Sequence, residues 1–518
     1  MGIIIKKIDI VNFKKFENFQ LVLNEKCNVL IGDNETGKST ILQAIDLCLG
    51  GSIHKVESLG ISEIFNKKTI ETFLDGDKKY DDLPIISIEI TTSDFGNFDY
   101  EGKKNTDSVN AYGVKLLIIP NDEYSEEIKK ILEKQNCHFP SEYYKIEFRT
   151  FADISYNTYN KKIKHYLIDN TTIDSESSIR EFTSNVYKLQ ADIKTRNNHL
   201  SEFKSVKQGF EKDVLEEFNK EKMYTFGLNK SQKFDLENNL AIFDDGINIS
   251  NKGRGKQTLI KTSLAVEKKA DKIDILLIEE PENHLSSNNM MKMIDEILSK
   301  VDNQLIITTH NNLILSRLNL KNSFLLGNNG PLSFSSLPED TSDFFCKQTN
   351  SNLLQFILSK KTILIEGAAE YILLEKFYEK ILSSKSFSDG VSILSVNGLS
   401  FLRYLDIAKK LGIKTAIITD NDKDYQKNVT NKYKEFCDEY IEVFSDKNVD
   451  NYTFEVSLYN YNKELLESID LTSSSNILLF MLNNKSESSY RLLKMIDNGD
   501  IDLNVPLYIE DAFKWIKN

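Results

Sequence analysis

Cys27-Asn28-Val29-Leu30-Ile31-Gly32-Asp33-Asn34-Glu35-Thr36-Gly37-Lys38-Ser39-Thr40 passes from an apolar run into a glycine-bounded loop, and a helical pattern continues to Leu49. The apolar run predicts a buried strand. Gly32 to Ser39 then reads G-x-x-x-x-G-K-S between strand and helix, the context in which this spacing cradles phosphate. Gly32 and Gly37 let the backbone wrap the phosphates, and the helix N-terminus offers free N–H groups. Lys38 reaches the terminal phosphates, and Ser39 is expected to ligate Mg²⁺. Asn34 and Thr40 complete the expected nucleotide-binding set. The expected cofactor is ATP.

Outward from this loop, Ile275-Leu276-Leu277-Ile278 predicts a second buried strand that delivers Glu279-Glu280-Pro281-Glu282-Asn283-His284-Leu285. At such a strand end one acid, Glu279, belongs beside the magnesium and the next, Glu280, beside the attacking water. Glu280 is therefore the candidate base for ATP hydrolysis. A third apolar run, Leu305-Ile306-Ile307, leads into Thr308-Thr309-His310. His310 at that strand end is placed to sense the terminal phosphate, although a histidine there also serves as an ordinary cap or core residue.

With the opening Ile8-Asp9-Ile10-Val11-Asn12-Phe13-Lys14-Lys15-Phe16, two strand-like runs before the loop, this region resembles the ABC-type ATPases of DNA repair and chromosome maintenance. That resemblance implies an α/β ATPase that sandwiches ATP across a dimer. Two departures stand out. Where those ATPases carry a loop like L-S-G-G-Q, the best-placed segment here is Asn251-Lys252-Gly253-Arg254-Gly255-Lys256-Gln257, ahead of a helical Leu259 to Ala265. Glu279 also stands where aspartate is commoner.

A second set of acids follows. Thr362-Ile363-Leu364-Ile365 predicts a strand ending in Glu366-Gly367-Ala368-Ala369-Glu370, then a helix to about Leu382. Glu366 and Glu370 are one helical turn apart, so both can face one metal. Val391 to Val396 predicts a strand before Asn397-Gly398, Phe401 to Leu411 a helix, and Thr415-Ala416-Ile417-Ile418 a strand ending in Asp420-Asn421-Asp422. This alternation implies a small parallel sheet with acids collected at the carboxyl ends of its strands. A glutamate at one strand end with Asp-x-Asp at another resembles the Toprim pattern.

Asn451-Tyr452-Thr453-Phe454-Glu455 adds an acid after an expected strand. Asn484-Lys485-Ser486-Glu487 precedes a helix leading to Val505-Pro506-Leu507-Tyr508-Ile509 and a final amphipathic helix. Together with the ATPase, this order resembles the OLD (overcoming lysogenization defect) family of nucleases, and within it the Gabija type of antiphage nuclease subunit. The resemblance is thinnest between about residues 94 and 256. It implies a two-metal nuclease in which Glu366, Glu370, Asp420, Asp422 and Glu455 hold Mg²⁺ or Mn²⁺ while Lys485 offsets charge on the scissile phosphate. It also implies control by ATP, a role in bacterial antiphage defence, and a helicase-like partner protein. Physically, phosphodiester hydrolysis needs an activated water and a stabilised leaving oxygen, which two cations on hard carboxylates supply. Asp424 is a substitute ligand. Each acid, taken singly, also reads as a solvated surface carboxylate.

The formal net charge of −13 over 518 residues argues against nucleic acid as a partner, but bound metal cancels part of it and DNA can follow a local basic track. Lys252, Arg254, Lys256, Lys360 and Lys361 are the candidates for that track, or else a solvated lysine surface. Cys27, Cys48, Cys137, Cys346 and Cys437 lack C-x-x-C spacing, which suggests neither a zinc ribbon nor a disulfide framework. No apolar run long enough to span a membrane occurs, so a cytoplasmic protein is expected.

The expected organisation is an ABC-type ATPase domain over 1–345 and a Toprim nuclease domain with a C-terminal helical segment over 346–518. A charged, helical insertion at about 173–222, with Val186, Leu189 and Ile193 at helical spacing, either dimerises or packs on its own ATPase core. The expected activity is an ATP-regulated, divalent-metal-dependent DNA endonuclease acting as a homodimer or homotetramer, with double-stranded DNA as substrate. Two rivals remain: a Toprim nuclease that cleaves RNA, and an ATP-switched DNA-binding scaffold that cleaves nothing.

Overall fold

The computed structural model describes residues 2–134, 137–169, 176–220, 223–228, 235–266, 273–300, 303–327, 330–348, 352–396, 398, 401–469, 471 and 476–518. Asn397, the insertion's expected ends at 173–175 and 221–222, and the side chain of Leu189 lie outside them. The chain divides into two compact units, Met1–His310 with Asn322–Pro331, and Asn311–Lys321 with Leu332–Asn518.

In the first unit, β1 (Ile5–Phe13) and β2 (Phe16–Val22) form an antiparallel hairpin, and β3 (Cys27–Ile31) leads into the helix Lys38–Gly50. β4 (Ile86–Thr92), β5 (Glu101–Gly102), β6 (Ala111–Pro120) and β7 (Tyr144–Thr150) complete an antiparallel sheet of order β2-β1-β4-β6-β5, with β7 also on β6. Alternate residues of these strands, Ile8 and Ile10, Ile88 and Ile90, Leu116 and Ile118, share a core with Ile41, Ile45 and Cys48 of the helix. Each such side chain contributes roughly 1.5–3 kcal/mol by leaving water.

β8 (His165–Asp169) precedes the arm, and the two-residue strands β9 (Phe243–Asp244) and β10 (Ile247–Asn248) form a hairpin after it. β11 (Ile275–Glu279), β12 (Gln304–Thr308), β13 (Ser323–Gly327) and edge strand β14 (Gly330–Ser333) complete a sheet of order β14-β13-β3-β12-β11-β8. From β13 to β8 the pairs are parallel. β11 and β12 are buried at every position. Unbroken apolar runs suit a parallel sheet covered on both faces.

The arm consists of helices Glu176–Gln190 and Ile193–Phe210, a π-turn Glu211–Leu215, and a short helix Glu216–Asn219. The helical spacing of Val186, Leu189 and Ile193 runs across two helices. Asp192 caps the second helix by accepting from Thr195 N at 2.7 Å, so the chain breaks between the two. Val186 is buried while Ile193, across the break, is 69% exposed.

In the second unit, β15 (Lys361–Ile365), β16 (Val391–Ser395), β17 (Lys414–Ile418) and β18 (Ile441–Phe444) form an all-parallel sheet of order β16-β15-β17-β18. The winding direction reverses between β15 and β17, so their carboxyl ends open a crevice where ligands bind in such sheets. Helices Ala368–Leu382 and Leu507–Lys517 bury Leu373, Phe377, Ile509 and Phe513 in this unit's core. The expected boundary at 345/346 falls within the helix Glu339–Lys347. Phe345 there is buried edge-on against Tyr404, 5.0 Å between ring centres, which ties that helix to the second unit.

Candidate active site

In the first unit, a cavity of about 480 Å³ opens over the loop Gly32–Ser39, with Lys38, Thr40, Glu280 and His310 among its walls. Gly37 takes φ 100°, and a Cβ there would stand 2.4 Å from the Phe16 ring, so only glycine fits. Lys38 is 5% exposed and donates to the carbonyls of Gly32 and Asp33 at 2.9 and 2.8 Å. Burial lowers its pKa, with Glu280, Asp33 and Glu282 opposing. The ammonium thus sits on the loop's own carbonyls, at the place where it would meet phosphate.

Glu279, at the end of β11, is buried and bonded to the Ser39 hydroxyl. Burial pushes its carboxyl up, and the charge of Asp169, its register partner on β8, adds to this. A serine hydroxyl beside two crowded carboxyls suits a magnesium–nucleotide complex, and Ser39 and Glu279 would hold the ion. Glu280 has φ 42° and accepts from Asn283 Nδ2 at 2.9 Å. His310 Nε2 lies 3.6 Å from Glu280 Oε1, and burial followed by the Lys38 charge lowers the imidazole pKa. Glu282, to which the sequence assigned no role, accepts from Thr309 Oγ1 at 2.8 Å and from His310 N at 2.6 Å. It therefore fixes the histidine's backbone. Lys14 and Lys15 in the β1–β2 turn also line the cavity.

The segment at 251–257 becomes helical earlier than expected, because the helix spans Arg254–Val266. Gly255 packs against its neighbour so closely that a Cβ would stand 2.4 Å from the carbonyl oxygen of His284. Lys252 and Lys256 of the expected basic track pair with Asp244 at 2.5 and 3.6 Å.

In the second unit, Glu366 ends β15 and Asp420 follows β17, its neighbour, so the crevice brings the two together. Glu366 Oε1 accepts from Thr419 Oγ1 at 2.6 Å and from Asp420 N at 3.2 Å. Asp420 Oδ1 accepts from Phe454 N at 2.8 Å. Glu370, in the first turn of Ala368–Leu382, is 8% exposed, and burial followed by the charges of Glu455 and Glu366 pushes it up to about 7. Burial, then Glu366, Glu370 and Glu455, pushes Asp420 to about 8.

Glu455 is 1% exposed and sits in the first turn of the helix Phe454–Tyr461 rather than directly after a strand. Its Oε2 lies 3.1 Å from Lys485 Nζ, and its buried Oε1 has no hydrogen-bond partner among the described residues. Lys485 is the first residue of the helix Lys485–Asp497. Burial pulls its pKa down, but Glu455, Asp420 and Glu370 outweigh this and hold it above the ordinary value.

Asp422 is exposed, with φ 48°, and is not among the acids whose charges raise Asp420. Asp424 is exposed as well. Tyr508, also without a role in the sequence reading, has its phenol pushed well up by burial and by Asp420 and Glu370. Among the described residues, no three His, Cys, Asp or Glu side chains already form a metal cage. Even so, the donor set fits a divalent cation. Mutually repelling acids and an orphaned buried carboxylate oxygen are relieved by positive charge. Glu366, Glu370, Asp420 and Glu455 would hold the ion. When bound, it would polarise the scissile phosphate and lower the pKa of a ligated water.

Residues 4–315 match the family described as AAA ATPase domain, and residues 357–422 match overcoming lysogenization defect protein-like, TOPRIM domain. The chain is 23% identical over 493 residues to the Endonuclease GajA of Bacillus cereus (strain VD045), covering 87% of this chain and 80% of that protein. To the Old nuclease of Escherichia phage P2 it is 23% identical over 474 residues, covering 82% and 78%. The C-terminal region of the Xanthomonas campestris pv. campestris OLD protein aligns at 20% identity and TM-score 0.22, covering 31% of this chain and 92% of that one. No helix of the described residues is long and apolar enough to cross a membrane.

Proposed function

The chain belongs to the AAA ATPase domain family and carries an OLD-like Toprim domain, and from this premise we propose that it is a DNA endonuclease of antiphage type. Cleavage depends on Mg²⁺ or Mn²⁺ held by Glu366, Glu370, Asp420 and Glu455. ATP bound over Lys38 and Ser39 regulates it. The protein acts as a homodimer or homotetramer beside a helicase-like partner. The observation that carries this reading is the meeting of Glu366 and Asp420 at the switch point of the parallel sheet, with the charges of Glu370 and Glu455 acting on Asp420 and Lys485 at 3.1 Å from Glu455.

Carboxylates at that place suit phosphate chemistry through metal, and the lysine suits charge building on phosphate oxygens. The names of the relatives, an endonuclease and a nuclease, support the same reading. The test incubates supercoiled plasmid with protein in Mg²⁺ or Mn²⁺, with and without ATP, beside Glu366→Ala and Lys38→Ala. Nicked or linear DNA lost in Glu366→Ala is the expected result, and Lys38→Ala should lose the response to ATP. Plasmid left intact by the native protein, with RNA cleaved instead, would replace DNA by RNA as substrate. No cleavage of either would leave an ATP-switched binding protein.

A further inference from the structure

Asn421 stands between the two aspartates of Asp420-Asn421-Asp422, and its side chain is completely buried. Its amide nitrogen donates to the backbone carbonyls of Asp446, Asn448 and Asn451 at 2.8, 3.0 and 3.3 Å. An NH₂ group has two hydrogens, so the three acceptors share them. Its Oδ1 accepts from Lys423 N at 2.9 Å, and its own carbonyl accepts from Asn428 Nδ2 at 3.1 Å. The three carbonyls belong to the loop that joins β18 to the helix Phe454–Tyr461. Asp446 closes that loop from within, accepting from Asn451 Nδ2 and Ser457 Oγ, both at 2.8 Å. Where the loop ends, Phe454 N donates to Asp420 Oδ1 at 2.8 Å, and the next residue is Glu455.

We propose that Asn421 is a positioning residue of the metal site: it clamps the loop that carries Glu455 to the strand end that carries Asp420, and so sets the spacing of these two acids. The proposal rests on the reading of these acids as the nuclease's metal ligands. Only a short side chain bearing an NH₂ meets three carbonyls here. Aspartate would turn an acceptor towards acceptors, and alanine would take the side-chain donor from all three carbonyls, of which Asn448 O alone keeps a backbone donor, Asn451 N at 3.0 Å, among the described residues. Holding Asn421 inward also places its neighbours, Asp420 towards the cluster and Asp422 outward in the left-handed region.

The test uses the full chain and its Asn421→Ala and Asn421→Asp variants. Mn²⁺ binding is read by calorimetry without nucleotide, and amide exchange is followed over residues 446–456. Nicking is titrated with Mn²⁺, and ATP binding serves as the check of folding. The expected result is intact ATP binding, faster exchange at the Phe454 amide, and Mn²⁺ affinity weaker by about tenfold or more, as for other groups that orient metal ligands. Intact ATP binding with unchanged Mn²⁺ affinity would overturn the proposal. If both variants fail to bind ATP, Ser457→Ala takes their place. It removes one hydrogen bond from Asp446 and is expected to weaken Mn²⁺ in the same direction, and an unchanged affinity again overturns the proposal. If the native protein nicks no DNA, the nuclease reading fails, while calorimetry and exchange still decide the role of Asn421.

Discussion

At the scale of single residues, the two aspartates of Asp-x-Asp are not equivalent. Asp420 is tied to Phe454 N and lies in the field of three other acids, whereas Asp422 is exposed. Asp420→Asn is therefore expected to lower metal-dependent cleavage by about a hundredfold, and Asp422→Asn by less than about tenfold, read as initial nicking rates at saturating Mn²⁺. Equal losses would return Asp422 to the site. Spacing pointed to Glu366, Glu370 and Asp420 because each lies at or near the end of an apolar run. It was silent on Tyr508, whose phenol the charges of the acids affect once the C-terminal helix is folded. It was equally silent on Glu282, whose bonds to Thr309 and His310 join two strand ends. The outward turn of Asp422 was not legible, because alternation along a chain does not say which way a tight loop turns.

At the scale of elements, the β1–β2 hairpin supports the phosphate loop. Phe16 lies against Gly37 and packs tilted on Phe19, 4.3 Å between ring centres. Gly37→Ala adds a Cβ where φ is 100° and the ring is 2.4 Å away, so it is expected to cost about 1–3 kcal/mol locally and to abolish measurable ATP binding by fluorescent-nucleotide titration. Retained binding would mean that the hairpin yields. The arm raises a second element-level question. Phe210 and Val214 are 46% and 49% exposed, one helical turn apart. If the arm is where copies meet, Phe210→Glu with Val214→Glu lowers the mass measured by sedimentation equilibrium. An unchanged mass would remove the arm from the interface. Helix and strand positions were legible because the periods are strong, while the arm's break at Asp192 was not, since a cap depends on one local bond.

At the scale of the whole molecule, the crowded acids tie stability to pH and to metal. Glu370 and Asp420 are raised to about 7 and about 8, so the folded chain keeps protons that the unfolded chain releases. Their contribution to stability is complete below the ordinary carboxylate range near pH 4 and is lost as pH rises to about 8. Without metal, the melting temperature of the second unit is expected to fall over that interval. Mn²⁺ binds the deprotonated acids, so its stabilisation is expected to grow with pH. Melting curves at several pH values, with and without Mn²⁺, check both signs, and a stabilisation by Mn²⁺ that shrinks with rising pH would contradict the assignment. By itself the sequence determined the buried strands of the ATPase, the small parallel sheet of the second unit, the phosphate loop and the order of the strand-end acids, because short-range periodicity and glycine spacing are properties of the chain. Only the tertiary structure decided which acids converge, which side chains clamp them, and that helix 339–347 packs with the second unit. Those outcomes depend on contacts between residues far apart in sequence, whose geometry no local pattern encodes.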